Sequence, residues 1–170
     1  WHFRLAHHDV WDLDLPAQPI LVDLARDGRK VPVVIQLTKQ GFIFVLHRET
    51  GVPVFPVEER PVPTDGVPGE VLSPTQPFPV RPAPVGATKY TPDDAWGFTA
   101  FDRAACRRKL AAFGRTGLYA PPSLDGTLLV ASANNWGGAA WDPDRQLLVL
   151  PVSQVPIYIR MKRTADVTQE

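Results

Sequence analysis

The stretch VPVVIQLTKQGFIFVLHRETGVPVFPV, residues 31–57, alternates strand-forming and turn-forming runs. β-Branched and aromatic residues dominate 31–38 and 42–46, and Lys39-Gln40-Gly41 between them has the composition of a tight turn. Arg48-Glu49-Thr50-Gly51 turns again into 52–57. This pattern predicts three successive antiparallel strands, a meander. A second set starts after Asp125-Gly126: strands over 127–131 and 137–141, a turn at Asp142-Pro143-Asp144, and a strand over 147–152. Helical periodicity is scarce. Its best candidate is 92–113, where Thr91 can cap a first turn containing Asp93 and Asp94, with 102–112 the most helical piece.

Between the two sets, residues 60–92 are dense in proline and glycine. A loop of that length in a compact domain is unusual and often functional. Because meanders flank it, it reads as an insertion over a scaffold surface rather than a linker. Nineteen prolines in 170 residues argue against a helical bundle, since proline breaks helix interiors. The expected class is all-β. Repeated meanders point to a β-propeller, whose blades are four-stranded antiparallel sheets of about 40–45 residues. On that arithmetic the chain holds about three blades. A propeller closes its ring to remove strand edges, so the expectation is a partial fold, and a chain starting at Trp1 reads as cut.

Charge and composition exclude several classes. Lysine plus arginine equals aspartate plus glutamate, 18 against 18, so no charge excess draws the chain to nucleic acid or an anionic membrane. There is no run of about 18 apolar residues that would span a bilayer. The single cysteine, Cys106, cannot form an internal disulfide and reads as a structural thiol.

Three polar features carry possible chemistry. His7-His8-Asp9-Val10-Trp11-Asp12-Leu13-Asp14 gathers imidazoles and carboxylates. Such a cluster can bind metal or do acid–base work, or it can be a solvated turn whose side chains cap local backbone. Lys39 at a strand-to-strand turn is either solvated or a cation for an anionic ligand. Asn134-Asn135-Trp136-Gly137-Gly138 offers amides and an indole that can lie flat on a planar ligand, or it is a loop with a packed tryptophan. The residues by themselves leave these alternatives open.

In order and spacing, the segments HHDVWDLDLPAQPILVDL, TKQGFIFVLHRETGVPVFPVEERPVP, LSPTQPF, WGFTAFDRAACR, YAPPSLDGTL and NWGGAAWDP resemble membrane-bound, pyrroloquinoline quinone (PQQ)-dependent dehydrogenases of the glucose/quinate/shikimate family. The resemblance runs from Trp1 to about Lys162. It implies a piece of an eight-bladed propeller facing the periplasm of a bacterial inner membrane, anchored by N-terminal helices that this chain does not include. The implied activity is oxidation of a sugar or cyclic polyol by hydride transfer to PQQ, with electrons passing to ubiquinone. Whether glucose, quinate or shikimate is the substrate stays open. Asp12, the aspartate of the Trp-Asp pair, corresponds to the family's catalytic base and to one ligand of its calcium ion. Lys39 corresponds to the cofactor-contacting lysine, and Asn135 and Trp136 to the pair near the cofactor plane. Asp14 lies where some soluble relatives carry a lanthanide marker, but the closer resemblance favours calcium or magnesium. His7 and His8 fall in the substrate-cleft region. The rival expectation is a non-catalytic propeller-like binding or scaffold fragment, inactive because it is truncated.

Overall fold

The computed structural model describes residues 1–130 and 133–164. Its central layer is an antiparallel sheet of β1 (Ile20–Arg26), β2 (Arg29–Leu37) and β3 (Ile43–His47) in chain order. The β1–β2 connection is the two-residue loop Asp27-Gly28, with φ of 50° and 72°. Positive φ at both loop residues is what a tight hairpin with right-handed strand twist requires.

Alternation then decides what each face of the sheet meets. Val22, Val33, Ile35, Leu37, Ile43 and Val45 point to one core. Phe42 and Phe44, one residue out of phase, point to the other, where Trp11, Leu13, Leu72, Tyr119 and Leu129 join them. Ile43 to Leu46 are all buried, as expected of a strand covered on both faces. On the first side the cover is a hairpin of β8 (Ala140–Asp142) and β9 (Leu147–Val149), bringing Trp141 and Leu148 onto the sheet. On the other side lie β4 (Val57–Pro61), paired antiparallel with β5 (Thr75–Pro79), and a sheet in which β7 (Thr127–Leu129) runs parallel to β6 (Thr116–Gly117) and antiparallel to β10 (Ile157–Ile159).

The molecule is mostly strand, in small sheets stacked face to face, with one α-helix. Several expectations are corrected. The described sheets have three, three, two and two strands, not four each. The third strand of the first meander shrinks to a bridge, Leu46 to Pro53, flanked by His47 N–H to Val52 O and Val54 N–H to Val45 O, both 2.8 Å. Pro53 and Pro56 lack the N–H that would extend the ladder. The second meander also differs, because β8 does not return along β7. Instead Ala133 N–H bonds to Lys39 O at 2.9 Å and Ser153 N–H to Ala133 O at 2.8 Å, so the chain leaving β7 is drawn onto the Lys39 turn. Ala131, the last residue of the predicted 127–131 strand, lies outside the described residues. The proline-rich excursion is partly ordered as β5. The predicted helical span divides into a 3-10 turn, Pro92–Asp94, and α1 (Ala100–Ala112), each with its own capping box, Thr91 with Asp94 and Thr99 with Asp102. No helix among the described residues is long and apolar enough to cross a membrane.

Candidate active site

The first element of the site is the turn that carries Asp12. Asp9 accepts hydrogen bonds from the N–H of Trp11 (2.9 Å) and of Leu13 (2.7 Å). Trp11 and Leu13 are buried in the core, and the Trp11 indole donates to Ala120 O at 2.9 Å while lying edge-on to Tyr119. Asp12, between these two anchors, has φ of 65° and a side chain 87% exposed. The left-handed region costs an L-residue roughly 1–2 kcal/mol, although aspartate visits it more readily than most. Upstream, buried Gln76 on β5 exchanges two 2.7 Å bonds with the backbone of His7, and the His7 and His8 rings meet Glu59 and Glu70 at 2.9 and 2.8 Å. Burial works against the Glu59 charge, but the His7 and Thr75 contacts together outweigh it and hold the carboxyl below its usual value. Thus β4 and β5, which lie at the edge of the excursion, brace the Asp12 segment.

The second element is the β2–β3 loop. Thr38 O accepts from Gly41 N–H at 2.9 Å, the Thr38 hydroxyl accepts from Phe42 N–H at 3.1 Å, and Gly41 has φ of 85°. Glycine is required there for a second reason, since a Cβ would stand 2.1 Å from Val85 O. The loop pins Lys39, whose side chain is only 8% exposed. Its ammonium donates to Asp12 O (2.8 Å), Asp12 Oδ2 (3.0 Å) and Asp14 Oδ1. Asp12 and Asp14 therefore share one buried cation, which stands 27 and 25 residues away from them in sequence. The Lys39 hydrogen bond holds the Asp14 carboxyl below its ordinary pKa. Burial alone would lower the lysine pKa, but the bonds to Asp14 and Asp12 outweigh it and leave it raised. At neutral pH the lysine is charged and Asp14 ionised.

The third element is the loop after β7. The Ala133–Lys39 backbone bond ties it to the lysine turn. Asn134 is structural here: its Nδ2 donates to Gly138 O and Pro151 O, both 3.1 Å. Asn135 keeps a buried Oδ1 with no partner among the described residues, and Trp136 is 78% exposed. The structure thus brings Asp12 and Lys39 into contact and tethers the Asn135-Trp136 segment to the same turn, without a bond from those two side chains to Asp12 or Lys39. Asp14 and Asp9 belong to the arrangement, although the family resemblance gives Asp14 no contact with Lys39 and does not single out Asp9. The signal for Asp14 is its i+2 relation to Asp12, which in an extended segment returns the side chain to the same face. The signal for Asp9 is the preference of aspartate for capping the backbone two residues on.

The whole chain, residues 1–170, matches the family model described as PQQ, glucose/ethanol/alcohol dehydrogenase, beta-propeller domain. The chain belongs to this quinoprotein family. It is similar to the quinoprotein glucose dehydrogenase of Escherichia coli K12 (38% identical over 95% of this chain and 20% of the relative). It is also similar to the glycerol dehydrogenase large subunit of Gluconobacter thailandicus (39%, over 98% of this chain and 24% of the relative) and the quinate/shikimate dehydrogenase (quinone) of Acinetobacter baylyi (36%, over 98% and 21%). The chain spans about a fifth to a quarter of the length of these relatives. No solved structure matches it significantly.

The residues on this chain fit the family's cofactor in kind. PQQ is flat and rich in acceptor oxygens. The site offers a buried ammonium and an exposed indole beside two glycines. They do not make a metal site: among the described residues no three His, Cys, Asp or Glu side chains gather to hold an ion. Asp12 supplies at most one carboxylate to one.

Proposed function

We propose that this chain is the part of a quinoprotein dehydrogenase that carries its proton acceptor, Asp12, and its cofactor lysine, Lys39. The meeting of these two side chains at 3.0 Å in a quinoprotein-family chain is the observation that carries this reading. Bound PQQ supplies the acceptor for the hydride that leaves the carbon of a substrate alcohol. The protein's share is to hold and deprotonate that alcohol. Asp12 is suited to this because its carboxylate projects into the open from a braced turn, with free oxygen lone pairs toward an incoming hydroxyl. General base assistance of this kind is worth about 10²–10⁴ in rate.

Lys39 has three donors, and all three are taken by the Asp12 and Asp14 groups. It can engage a cofactor oxygen only by giving up one of them, and the exposed Asp14 carboxylate is the one that water most readily resolvates. The cation then opposes negative charge on the quinone oxygens. Asn135 and Trp136 would line the cofactor plane. Asp12 would also be one ligand of a calcium or magnesium ion, with the remaining ligands outside these residues. The stacked sheets would be consecutive blades of the family's eight-bladed propeller. Relatives named for glucose, glycerol and quinate/shikimate support a substrate among sugars and polyols. Ubiquinone as electron acceptor, and a site on the periplasmic side of the inner membrane, complete the proposal.

The test is Asp12→Asn and Lys39→Ala in the full-length protein, titrated with PQQ and calcium and assayed with an artificial dye acceptor. Asp12→Asn should lose about 10²–10⁴ in turnover even at saturating cofactor. Lys39→Ala should bind PQQ more weakly and recover partly at excess. Near wild-type turnover of Asp12→Asn at saturation would show that Asp12 is not the base.

A further inference from the structure

We propose that Asp9 is a positioning residue for Asp12, acting through the backbone and never on the substrate. The proposal rests on the reading of Asp12 as the proton acceptor. Asp9 holds the N–H groups of Trp11 and Leu13, one on each side of Asp12, with its two separate carboxylate oxygens. A neutral side chain with a single acceptor cannot hold both in that geometry. Between these two bonds Asp12 is held at φ 65°, a conformation that persists in an L-residue only when its surroundings over-determine it.

The other restraints on the turn act elsewhere. The Trp11 indole bond to Ala120 O and the burial of Leu13 fix the anchor side chains, but they leave the peptide planes of 11–13 free to rotate. Lys39 holds the Asp12 carbonyl at 2.8 Å and Asp12 Oδ2 at 3.0 Å, so it shares the planar Asp12–Leu13 peptide with Asp9, but it makes no bond to the Trp11 N–H that Asp9 holds on the other side. Tyr119, whose ring packs edge-on to Trp11, is itself left-handed at φ 59°. Asp9 therefore sets the backbone conformation from which the Asp12 carboxylate projects, and Lys39 holds one oxygen of that carboxylate. Without it, residue 12 relaxes toward negative φ and its carboxylate swings away from the position it now holds.

The experiment is a double-mutant cycle in the full-length protein loaded with PQQ, combining Asp9→Ala with Asp12→Asn, with Asp9→Asn as the intermediate step. Turnover, KM, PQQ affinity and thermal midpoint are read for each. Misplacing a reacting group by about 1 Å costs on the order of 10²-fold, so Asp9→Ala should lose turnover on that scale with KM and PQQ affinity unchanged. Asp9→Asn, keeping one acceptor, should fall between. In the Asp12→Asn background Asp9→Ala should cost no further residual turnover, while its shift in thermal midpoint persists. Two results overturn the proposal: wild-type turnover in Asp9→Ala, or an equal loss in both backgrounds, which would make the effect independent of Asp12. If Asp9→Ala does not fold, the same cycle with Asp9→Asn decides on the same criteria. If Asp12→Asn alone keeps full turnover, the base assignment falls and Asp9 with it, which separates the two failures.

Discussion

Gly41→Ala should be among the most damaging single-methyl changes in this chain. Gly41 sits at φ 85°, and an alanine Cβ would lie 2.1 Å from Val85 O and 3.0 Å from the Ala133 Cβ. The left-handed backbone alone costs an L-residue about 1–2 kcal/mol. The clash is with backbone, so it cannot be relieved by a rotamer. Val85 must move, which breaks its 2.8 Å N–H bond to Gly41 O, a loss of about 1 kcal/mol. Overpacking against Ala133 adds a cost of about 1–3 kcal/mol, and the whole comes to roughly 3–6 kcal/mol. Gly28→Ala is the matched control: its φ is 72°, but nothing lies within 4 Å of the added methyl, so only the backbone cost of about 1–2 kcal/mol applies. Equilibrium urea unfolding of both variants, with unchanged denaturant slopes, measures the difference. Because Lys39 is two residues away in the same loop, Gly41→Ala should also weaken PQQ binding in the full-length protein, and Gly28→Ala should not. Equal destabilisation by the two substitutions would refute the contact argument, since both glycines share the backbone term.

Two further expectations concern the braces and charges of the site. Gln76→Leu keeps the side-chain bulk but strands the His7 N–H and carbonyl that Gln76 now satisfies. At about 1–3 kcal/mol for each group that stays buried and unpaired, thermal denaturation should show a clear loss, and an unchanged midpoint would mean the His7 segment is not braced by β5. In pH titration, the lowered Asp14 carboxyl contributes stability that is present above its ordinary pKa of 3.8 and lost as pH falls through its lower folded value. The raised Lys39 contributes stability that is full below its ordinary 10.5 and lost as pH rises through its higher folded value. The thermal midpoint of Lys39→Met relative to wild type should therefore be constant from about pH 5 to pH 9, and the gap should narrow in stronger acid. A gap that closes near pH 7 would contradict this pairing.

The β2–β3 hairpin, the turn that carries Lys39 and the Thr91 cap were legible in the sequence, because each depends on neighbours a few residues apart. Alternation assigns Phe42 and Phe44 to one core and Ile43 and Val45 to the other, and Thr91 and Thr99 each find an acidic partner three residues on. β1 is not among the strands the sequence reading names, although Ile20, Val22 and Leu24 alternate ahead of an Asp27-Gly28 turn. The family too was readable, since its motifs recur in order along the whole chain. Pairing partners were not. The prolines at 53 and 56 removed a strand that composition alone predicts, and β7 took β6 and β10 as neighbours because the chain beyond it was drawn to the backbone of Lys39. The sequence reading raised Asp12 and Lys39 as separate polar features, and family resemblance put both in one site. That they share a buried ammonium with Asp14, on a turn clasped by Asp9 and braced by Gln76 from 69 residues away, follows only from tertiary structure. A hydrogen bond across that separation is set by how the sheets stack, and local sequence carries no record of which carboxylate a distant lysine will meet.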